Sequence, residues 1–375
     1  MSNFRPTFAE VDLSALRHNV KWLRARAGSG TWFCPMVKAN AYGHGAVSVA
    51  KVLAELKVDA IGVAMVEEGL VLRQAGIKIP ILVFGIFSQE AAALAVKENL
   101  TPVLSRWQDL EFFKIGTPSQ YPVHLKFNTG MNRLGFEVND AAKVAEFLKL
   151  SSKLKVTGIC SHLSQGEDWS ENSGASALQA EKLKVAASGF LPGPVVHLLN
   201  SAALLSPTGT RGLGVRPGIS MYGAGLTMTS AQGAEGLRPV MHLRSEVALL
   251  HHLKAKEGVS YNSTWRAKKT STVAVIPIGY ADGIPRLGSN RLSALVRGQR
   301  VPLVGTVCMD YIILDVTKLQ KEARGVLPGE PVTLWGEQGE AVISADEVAG
   351  HAETIAYELF TGVGTRVPRR DQDGV

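Results

Sequence analysis

Short apolar runs alternate with amphipathic segments over residues 1 to about 235, and this alternation limits the possible folds more than any other feature. The runs that read as buried strands lie at residues 32–37, 58–64, 80–84, 101–104, 122–127, 155–160 and 195–199. Strands that are apolar throughout and alternate with helices are typical of a parallel sheet covered on both faces. About eight such units predict a (β/α)8 TIM-type barrel in an α/β protein, and an open doubly wound sheet is the alternative.

The pattern changes after the turn Gly236-Leu237-Arg238-Pro239. Strand-like segments separated by glycine and proline then follow one another, at residues 244–253, 272–278, 292–296, 301–307, 311–316 and 331–334. This spacing predicts a mainly-β domain, which ends in two short helices at residues 345–350 and 354–360. We therefore divide the chain into a barrel domain at residues 1–236 and a mainly-β C-terminal domain at residues 237–375.

The composition of the 375-residue chain argues against several classes of protein. With 46% hydrophobic and 19% charged residues, it is typical of a globular protein. The N-terminus has no apolar signal-peptide region. No uninterrupted apolar run approaches membrane-spanning length, and Glu67, Glu68 and Gly69 interrupt the stretch at residues 60–72, so we expect a cytoplasmic protein without a membrane partner. The net charge of +7 is scattered, which predicts no nucleic-acid partner. The three cysteines lie far apart, so no metal site is predicted.

Polar side chains directly follow several of the predicted barrel strands, namely Lys38, Asn128, His162 and Asn200-Ser201. Active groups of such barrels lie at the carboxyl ends of the strands, so these side chains are predicted to share one face. Burial at a strand end lowers the pKa of a lysine and makes its amine nucleophilic. Lys38 could then form a Schiff base with a carbonyl such as that of pyridoxal phosphate (PLP). The alternative is a lysine whose ammonium group simply reaches solvent.

Two further segments suit an anion. Arg216-Pro217-Gly218-Ile219-Ser220 follows a glycine-rich turn, and the backbone N–H groups of such a turn can hold a phosphate. Its spacing meets neither the Walker loop nor the dinucleotide fingerprint. Asn200-Ser201 begins a predicted helix, whose N-terminus also suits an anion. An ordinary turn and an ordinary N-cap are the structural alternatives.

The segment Val37-Lys38-Ala39-Asn40-Ala41-Tyr42-Gly43-His44-Gly45 resembles the PLP-lysine motif of alanine racemases, and further matches extend through the chain. The resemblance implies a PLP-dependent isomerase that interconverts L- and D-alanine and supplies D-alanine for the peptidoglycan of the cell wall. It also implies a homodimer in which β-domain residues enter the active site of the partner subunit. A broader racemase for serine or basic amino acids, a non-catalytic PLP-binding barrel protein and a decarboxylase are the alternatives.

The resemblance also implies roles for individual residues. Lys38 and Tyr261 match the two catalytic acid/base groups, which act on opposite faces of the cofactor. His162 matches the residue that links the tyrosine to Arg216, and Arg216 matches the arginine at the pyridine nitrogen. A guanidinium keeps its proton, so the ring nitrogen stays unprotonated and reprotonation at Cα is favoured over transamination. The other residues predicted to bind the cofactor are Tyr42, Asn200, Ser201, Gly218, Ile219 and Tyr357.

Residues 125–135 resemble the substrate-side motif of the family. Arg133 matches the arginine near the substrate carboxylate, and Lys126 matches a lysine that is often carbamylated. The usual aspartate two residues after that lysine is Asn128 here. This departure leaves the local charge arrangement, and with it the substrate range, open.

Three substrate-site residues are predicted in the β domain. Met309 and Asp310 match a family segment that lines the substrate site, and Tyr280 lies in a further matching segment at residues 279–283. The usual glutamine after the aspartate is Tyr311 here, a second departure that keeps the broader racemase open.

Overall fold

The computed structural model describes residues 4–115, 117–150, 153–169, 174–225, 236–322 and 324–373. The strands are β1 (Phe8–Asp12), β2 (Ile61–Val63), β3 (Ile81–Val83), β4 (Thr101–Leu104), β5 (Tyr121–Asn128), β6 (Phe136–Glu137), β7 (Leu154–Cys160), β8 (Val195–Leu199), β9 (Gly214–Val215), β10 (Met241–Glu246), β11 (Leu249–Leu253), β12 (Gly258–Val259), β13 (Trp265–Arg266), β14 (Ser271–Ile276), β15 (Ser293–Val296), β16 (Gln299–Pro302), β17 (Ile312–Asp315), β18 (Pro331–Gln338), β19 (Ala341–Ile343) and β20 (Arg369–Gln372).

The helical segments are α1 (Leu13–Ala27), α2 (Lys38–Tyr42), α3 (Ala46–Glu55), α4 (Val66–Gln74), α5 (Gln89–Lys97), α6 (Trp107–Lys114), α7 (Ala141–Leu150), α8 (Ala175–Ala187), α9 (Ser201–Leu205), α10 (Ala345–His351) and α11 (Ala356–Gly362). Several are amphipathic; α3, for example, buries Val49, Ala50 and Leu53. Within the described ranges, no helix has the length and apolar character needed to cross a membrane.

A parallel sheet in the order β2-β3-β4-β5-β7-β8-β9 forms the wall of a barrel. The segment before α2 closes it, because Phe33 bridges Val215 of β9 and Met36 bridges Gly62 of β2, both in parallel. The predicted (β/α)8 barrel is therefore confirmed. In the described chain its wall has eight strand segments, or staves: the segment at residues 33–36 is the first, and the seven strands of the parallel sheet are the others. The first stave has bridges rather than a regular ladder, and Pro35 at its centre has no N–H to donate. The stave β9 was not predicted, since two residues in a glycine-rich stretch carry no periodic pattern.

The C-terminal part is mainly β, as predicted. One sheet has the order β16-β15-β18-β10-β1-β20, and a second has the order β11-β14-β17. The largest differences from the predicted strand bounds are at residues 244–253, which contain parts of β10 and β11, and at residues 301–307, where the strand stops at Pro302. The chain then turns through Gly305, whose φ of +81° lies in the left-handed region that favours glycine. The two predicted short helices are present as α10 and α11.

The first strand of the chain belongs to the C-terminal sheet. In β1, Phe8 pairs antiparallel with Arg244 of β10, and Ala9 pairs in parallel with Arg369 of β20. The chain thus contributes a central strand to the β domain before it enters the barrel through α1. A division at residue 236 stays a prediction, and β1 is the part of residues 1–236 that pairs with strands of residues 237–375.

Candidate active site

A cavity of about 320 Å³ opens at the carboxyl ends of the barrel strands. It is lined by Met36, Lys38, Tyr42, Ala64, Phe84, Gly85, Lys126, Arg133, Leu134, Ser161, His162, Asn200, Ser201, Arg216, Gly218, Ile219 and Tyr357. Every barrel residue predicted to touch cofactor or substrate is among them. The volume lies at the lower end of the roughly 300–1,000 Å³ typical of small-molecule sites.

Lys38 is carried by a left-handed turn. Ala39, Asn40, Ala41 and Tyr42 have φ values of +52°, +54°, +55° and +52°, so α2 is not a right-handed helix. Such a conformation costs L-residues roughly 1–2 kcal/mol each, and the surroundings must therefore hold it. Sequence reasoning missed this turn, because alanine and tyrosine carry no signal for positive φ.

Several contacts hold the turn in place. His44 is fully buried, and its Nδ1 donates to the carbonyl oxygens of Tyr42 at 2.9 Å and Ala41 at 3.1 Å. Burial lowers the pKa of His44 to about 3, so the ring is neutral. Gly43 lies against the backbone of Phe360, where an added Cβ would be 3.0 Å from the carbonyl carbon and closer to the oxygen. Gly43 and His44 of the segment at residues 37–45 therefore both have structural roles in this turn.

The environment of Lys38 favours a neutral amine. Burial lowers the pKa of Lys38, the positive charge of Arg133 lowers it further, and Glu68 acts in the opposite direction. The ammonium form is the form that burial disfavours. A lowered pKa leaves a larger fraction of the amine neutral at neutral pH, and only the neutral amine can act as a nucleophile or accept a proton.

A buried hydrogen-bond chain holds Arg216 in the wall of the cavity. Its Nη1 lies 2.7 Å from Nδ1 of His197, and Nε2 of His197 lies 2.8 Å from Nδ1 of His124. A guanidinium only donates, so His197 accepts at Nδ1 and donates from Nε2 to His124. Burial and the charge of Arg216 lower the pKa of both histidines, that of His124 to about 3, which keeps them neutral. Sequence reasoning missed both histidines, although each is a polar residue inside an apolar strand.

The other amino group of Arg216 faces the end of β7. Its Nη2 donates to the carbonyl oxygen of Ser161 at 2.7 Å and lies 3.4 Å from Nδ1 of His162. Burial lowers the pKa of His162 to about 3, with a further contribution from Arg216. His162 and Arg216 are therefore neighbours in the structure, with the histidine neutral.

The turn after β9 and the start of α9 form one end of the cavity. Oγ of Ser201 accepts from the backbone N–H groups of Gly218 at 2.9 Å and Ser220 at 3.3 Å. Tyr42 and Tyr357 have ring centroids 5.9 Å apart, and burial raises the pKa of both phenols, that of Tyr357 to about 12. Both therefore stay protonated at neutral pH and can donate hydrogen bonds to an anion. Asn200 caps α9, because its Oδ1 accepts from the N–H of Ala203 at 3.0 Å.

The cavity is rich in positive charge. Four of its lining residues, Lys38, Lys126, Arg133 and Arg216, are cationic types, and none of its lining residues in the described chain is acidic. Lys126 is 6% exposed, and burial lowers its pKa, with further lowering by the charges of the other three. Such a set of donors fits a ligand with more than one anionic group.

Apart from Tyr357, the site residues predicted in residues 237–375 do not line this cavity. The exposed fractions of Tyr261, Tyr280 and Met309 are 66%, 42% and 51%, and none of the three lines the cavity of its own chain. Asp310 accepts from Nη2 of Arg366 at 2.7 Å, at the surface. Within one chain, the structure therefore brings together the barrel residues and Tyr357, but not the two predicted acid/base groups.

Asn128 also lies outside the lining. Its Oδ1 accepts from the N–H of Asn132 at 3.0 Å, and its Nδ2 donates to Oε1 of Glu137 at 3.2 Å. It therefore orders the loop that precedes Arg133. An aspartate could not donate to Glu137 in this way.

Comparison with known proteins gives matches over both parts of the chain. The family model described as "Alanine racemase, N-terminal domain" matches residues 11–225, and "Alanine racemase, C-terminal domain" matches residues 240–371. The alanine racemase of Geobacter sulfurreducens is 39% identical, with 97% of each chain covered. That of Desulfovibrio desulfuricans is 36% identical, with 97% of this chain and 98% of that protein covered.

Solved structures agree with the sequence matches. An alanine racemase from Clostridium difficile 630 superposes with a TM-score of 0.89 at 30% identity, covering 99% of this chain and 97% of the other. The alanine racemase from Bacillus anthracis with bound L-Ala-P has a TM-score of 0.88 at 33% identity, covering 99% and 96%. The similarity thus includes the barrel and the β domain together.

Proposed function

This chain belongs to the alanine racemase family, an isomerase family, and from that membership we propose that it binds PLP through Lys38 and uses Lys38 and Tyr261 as its two acid/base groups. The observation that carries the proposal is the position of Lys38. Lys38 directly follows the first stave, and the pKa of its amine is lowered. Its side chain lines a cavity that has three further cationic side chains. The broader racemase, the binding protein and the decarboxylase have no relative among those described above.

The residues at the cavity fit the cofactor. Ser201, Gly218 and the phenols of Tyr42 and Tyr357 would hold its phosphate, with Asn200 and Ile219 beside them, and Arg216 would face its pyridine nitrogen. When bound, PLP withdraws electrons from Cα of an amino acid, which makes the Cα proton acidic. His197 accepts a hydrogen bond from Arg216, and a guanidinium keeps its own protons, so the ring nitrogen would meet a hydrogen-bond donor that does not give up its proton.

Racemisation requires a proton to leave one face of Cα and to return on the other, so two groups are needed. Lys38 supplies one group within the barrel cavity. Tyr261 is two-thirds exposed on the β domain and does not line the cavity of its own chain. We infer a homodimer in which Tyr261, Tyr280, Met309 and Asp310 of each subunit complete the cavity of the other.

Arg133 at the cavity mouth would bind the carboxylate of alanine. Lys126 would repel Arg133 as an ammonium, and carbamylation would reverse the sign of its charge. We therefore propose Lys126 as a carbamylated residue that orients Arg133. D-alanine for peptidoglycan is the proposed product, and the cytoplasmic location stays a prediction.

Two measurements test the proposal. Borohydride reduction of the PLP-loaded protein, followed by peptide mapping, should place the pyridoxyl label on Lys38. Lys38→Ala should abolish both label and activity, whereas the exposed Lys51→Ala should change neither. Enantiomer analysis with L-alanine, L-serine and L-lysine should show rapid conversion of alanine alone. A label on another lysine would contradict the assignment of the cofactor site, and faster conversion of serine or lysine would contradict the substrate.

A further inference from the structure

A carboxylate in the helix that follows the neighbouring stave accepts a hydrogen bond from the backbone of the Lys38 turn. Glu68 lies in the first turn of α4, directly after β2. Its Oε1 accepts from the N–H of Ala39, the residue after Lys38, at 2.6 Å. Its Oε2 accepts from the N–H groups of Ala64 at 2.7 Å and Met65 at 3.2 Å. One side chain thus joins the turn after the first stave to the end of the second.

The Lys38 turn needs such a support. Four consecutive residues with positive φ persist only where their surroundings impose that conformation. At the far end of the turn, His44 donates to the carbonyl oxygens of Ala41 and Tyr42, and Gly43 lies against the backbone of Phe360. Glu68 holds the near end, at the peptide group that follows Lys38. Hydrogen bonds from backbone N–H groups to an ionised carboxylate are stronger than those to neutral acceptors.

We propose that Glu68 is a positioning residue, whose carboxylate fixes the peptide group after Lys38 and thereby the direction in which the Lys38 side chain enters the cavity. The inference rests on the proposed role of Lys38. Glu68 does not line the cavity, so it acts through the lysine rather than on a ligand. Its negative charge also raises the pKa of Lys38 against the effect of burial, which gives the role an electrostatic readout.

Glu67 is the matched control, because it has the same charge, lies in the same helical turn and is exposed. Hydrogen exchange of the PLP-loaded protein, followed by mass spectrometry of peptides that cover residues 37–45, reports on the turn. Glu68→Ala should accelerate exchange there by roughly tenfold or more, as expected for the loss of one charge-assisted hydrogen bond. Glu68→Gln keeps one acceptor oxygen and should give a smaller increase. Glu67→Ala should leave the exchange unchanged.

A second readout separates positioning from general stability. Glu68→Ala should lower kcat for alanine by about tenfold or more with little change in KM, because the substrate contacts remain while the lysine is displaced. In Glu68→Gln, the loss of negative charge should lower the pKa of Lys38. The step in the pH profile of kcat that belongs to Lys38 should therefore shift to lower pH. If Glu68→Ala fails to fold, Glu68→Gln alone decides both measurements.

Unchanged exchange at residues 37–45 in the Glu68 variants would overturn the inference. Equal acceleration by Glu67→Ala would also overturn it, because the effect would then belong to α4 as a whole. Failure of the proposed function is distinguishable, since a pyridoxyl label on a lysine other than Lys38 would appear in the wild-type protein, whatever the exchange result.

Discussion

Gly218→Ala should weaken PLP binding without unfolding the protein. An added Cβ at this position would lie 3.0 Å from Cζ of Tyr42 and closer still to its hydroxyl oxygen. Tyr42 cannot move away easily, because it is 6% exposed and packs against Tyr222 at a ring distance of 5.1 Å and Tyr357 at 5.9 Å. The substitution therefore displaces a proposed phosphate ligand within a packed aromatic cluster.

The expected magnitude follows from this overlap. Inserting a methyl group into a packed site costs about 1–3 kcal/mol. If the phosphate site bears that cost, PLP should bind roughly 5- to 150-fold more weakly, because each 1.4 kcal/mol corresponds to about a tenfold change in affinity. Equilibrium titration of the cofactor-free protein with PLP, followed by absorbance, measures the change.

A double-mutant cycle identifies the cause. Tyr42→Phe removes the atom nearest to the added methyl group, so Gly218→Ala should weaken binding less in the Tyr42→Phe background than in the wild type. Gly189→Ala is the control, since an added Cβ there meets no atom within 4 Å. Binding by Gly218→Ala equal to that of the wild type, or additive effects in the cycle, would refute the reasoning.

Three other predictions test the proposed mechanism. Tyr261→Phe should reduce exchange of the Cα proton with deuterated water far more for one alanine enantiomer than for the other, because it removes the group on one face; equal loss would argue against this tyrosine. Mixing Tyr261→Phe with Lys38→Ala should restore activity, since one site of the heterodimer then has both groups; no recovery after verified subunit exchange would contradict shared sites. Arg216→Glu should lower racemisation and raise pyruvate formation, because the ring nitrogen can then hold a proton; unchanged pyruvate would contradict the role of Arg216.

The last prediction concerns Lys126. Two positive charges about 4 Å apart repel by roughly 4 kcal/mol at an effective dielectric of about 20, and a carbamate would turn this into attraction. Lys126→Ala should therefore raise KM for alanine, and a small carboxylate or chloride should partly restore it. ¹³CO2 should give a carbamate signal in the wild type only. Normal alanine binding by the variant, together with no carbamate signal in the wild type, would show that Lys126 has no part in the substrate site.

The sequence by itself determined the architecture, because both parts of the fold produce local patterns. Staves buried on both faces must be apolar throughout, so runs such as residues 101–104 and 195–199 coincide with β4 and β8. The same topology predicted that Lys38, His162 and Asn200 would share one face, since parallel strands end at one edge. Strand bounds were less certain where glycine and proline set them, as at residues 301–307, because a bend there depends on packing.

Tertiary structure alone decided the features that join distant parts of the chain. β1 pairs with residues 241–244 and 369–372, and five residues near the N-terminus carry no signal for partners so far away. The left-handed turn after Lys38 contains alanines and a tyrosine, and it is met by two distant elements: Glu68 of α4 accepts from the N–H of Ala39, and Gly43 lies against the backbone of Phe360 in α11. Local sequence indicates which backbone conformation a residue prefers. These tertiary contacts override that preference at residues 39–42, and they set the direction of the Lys38 side chain.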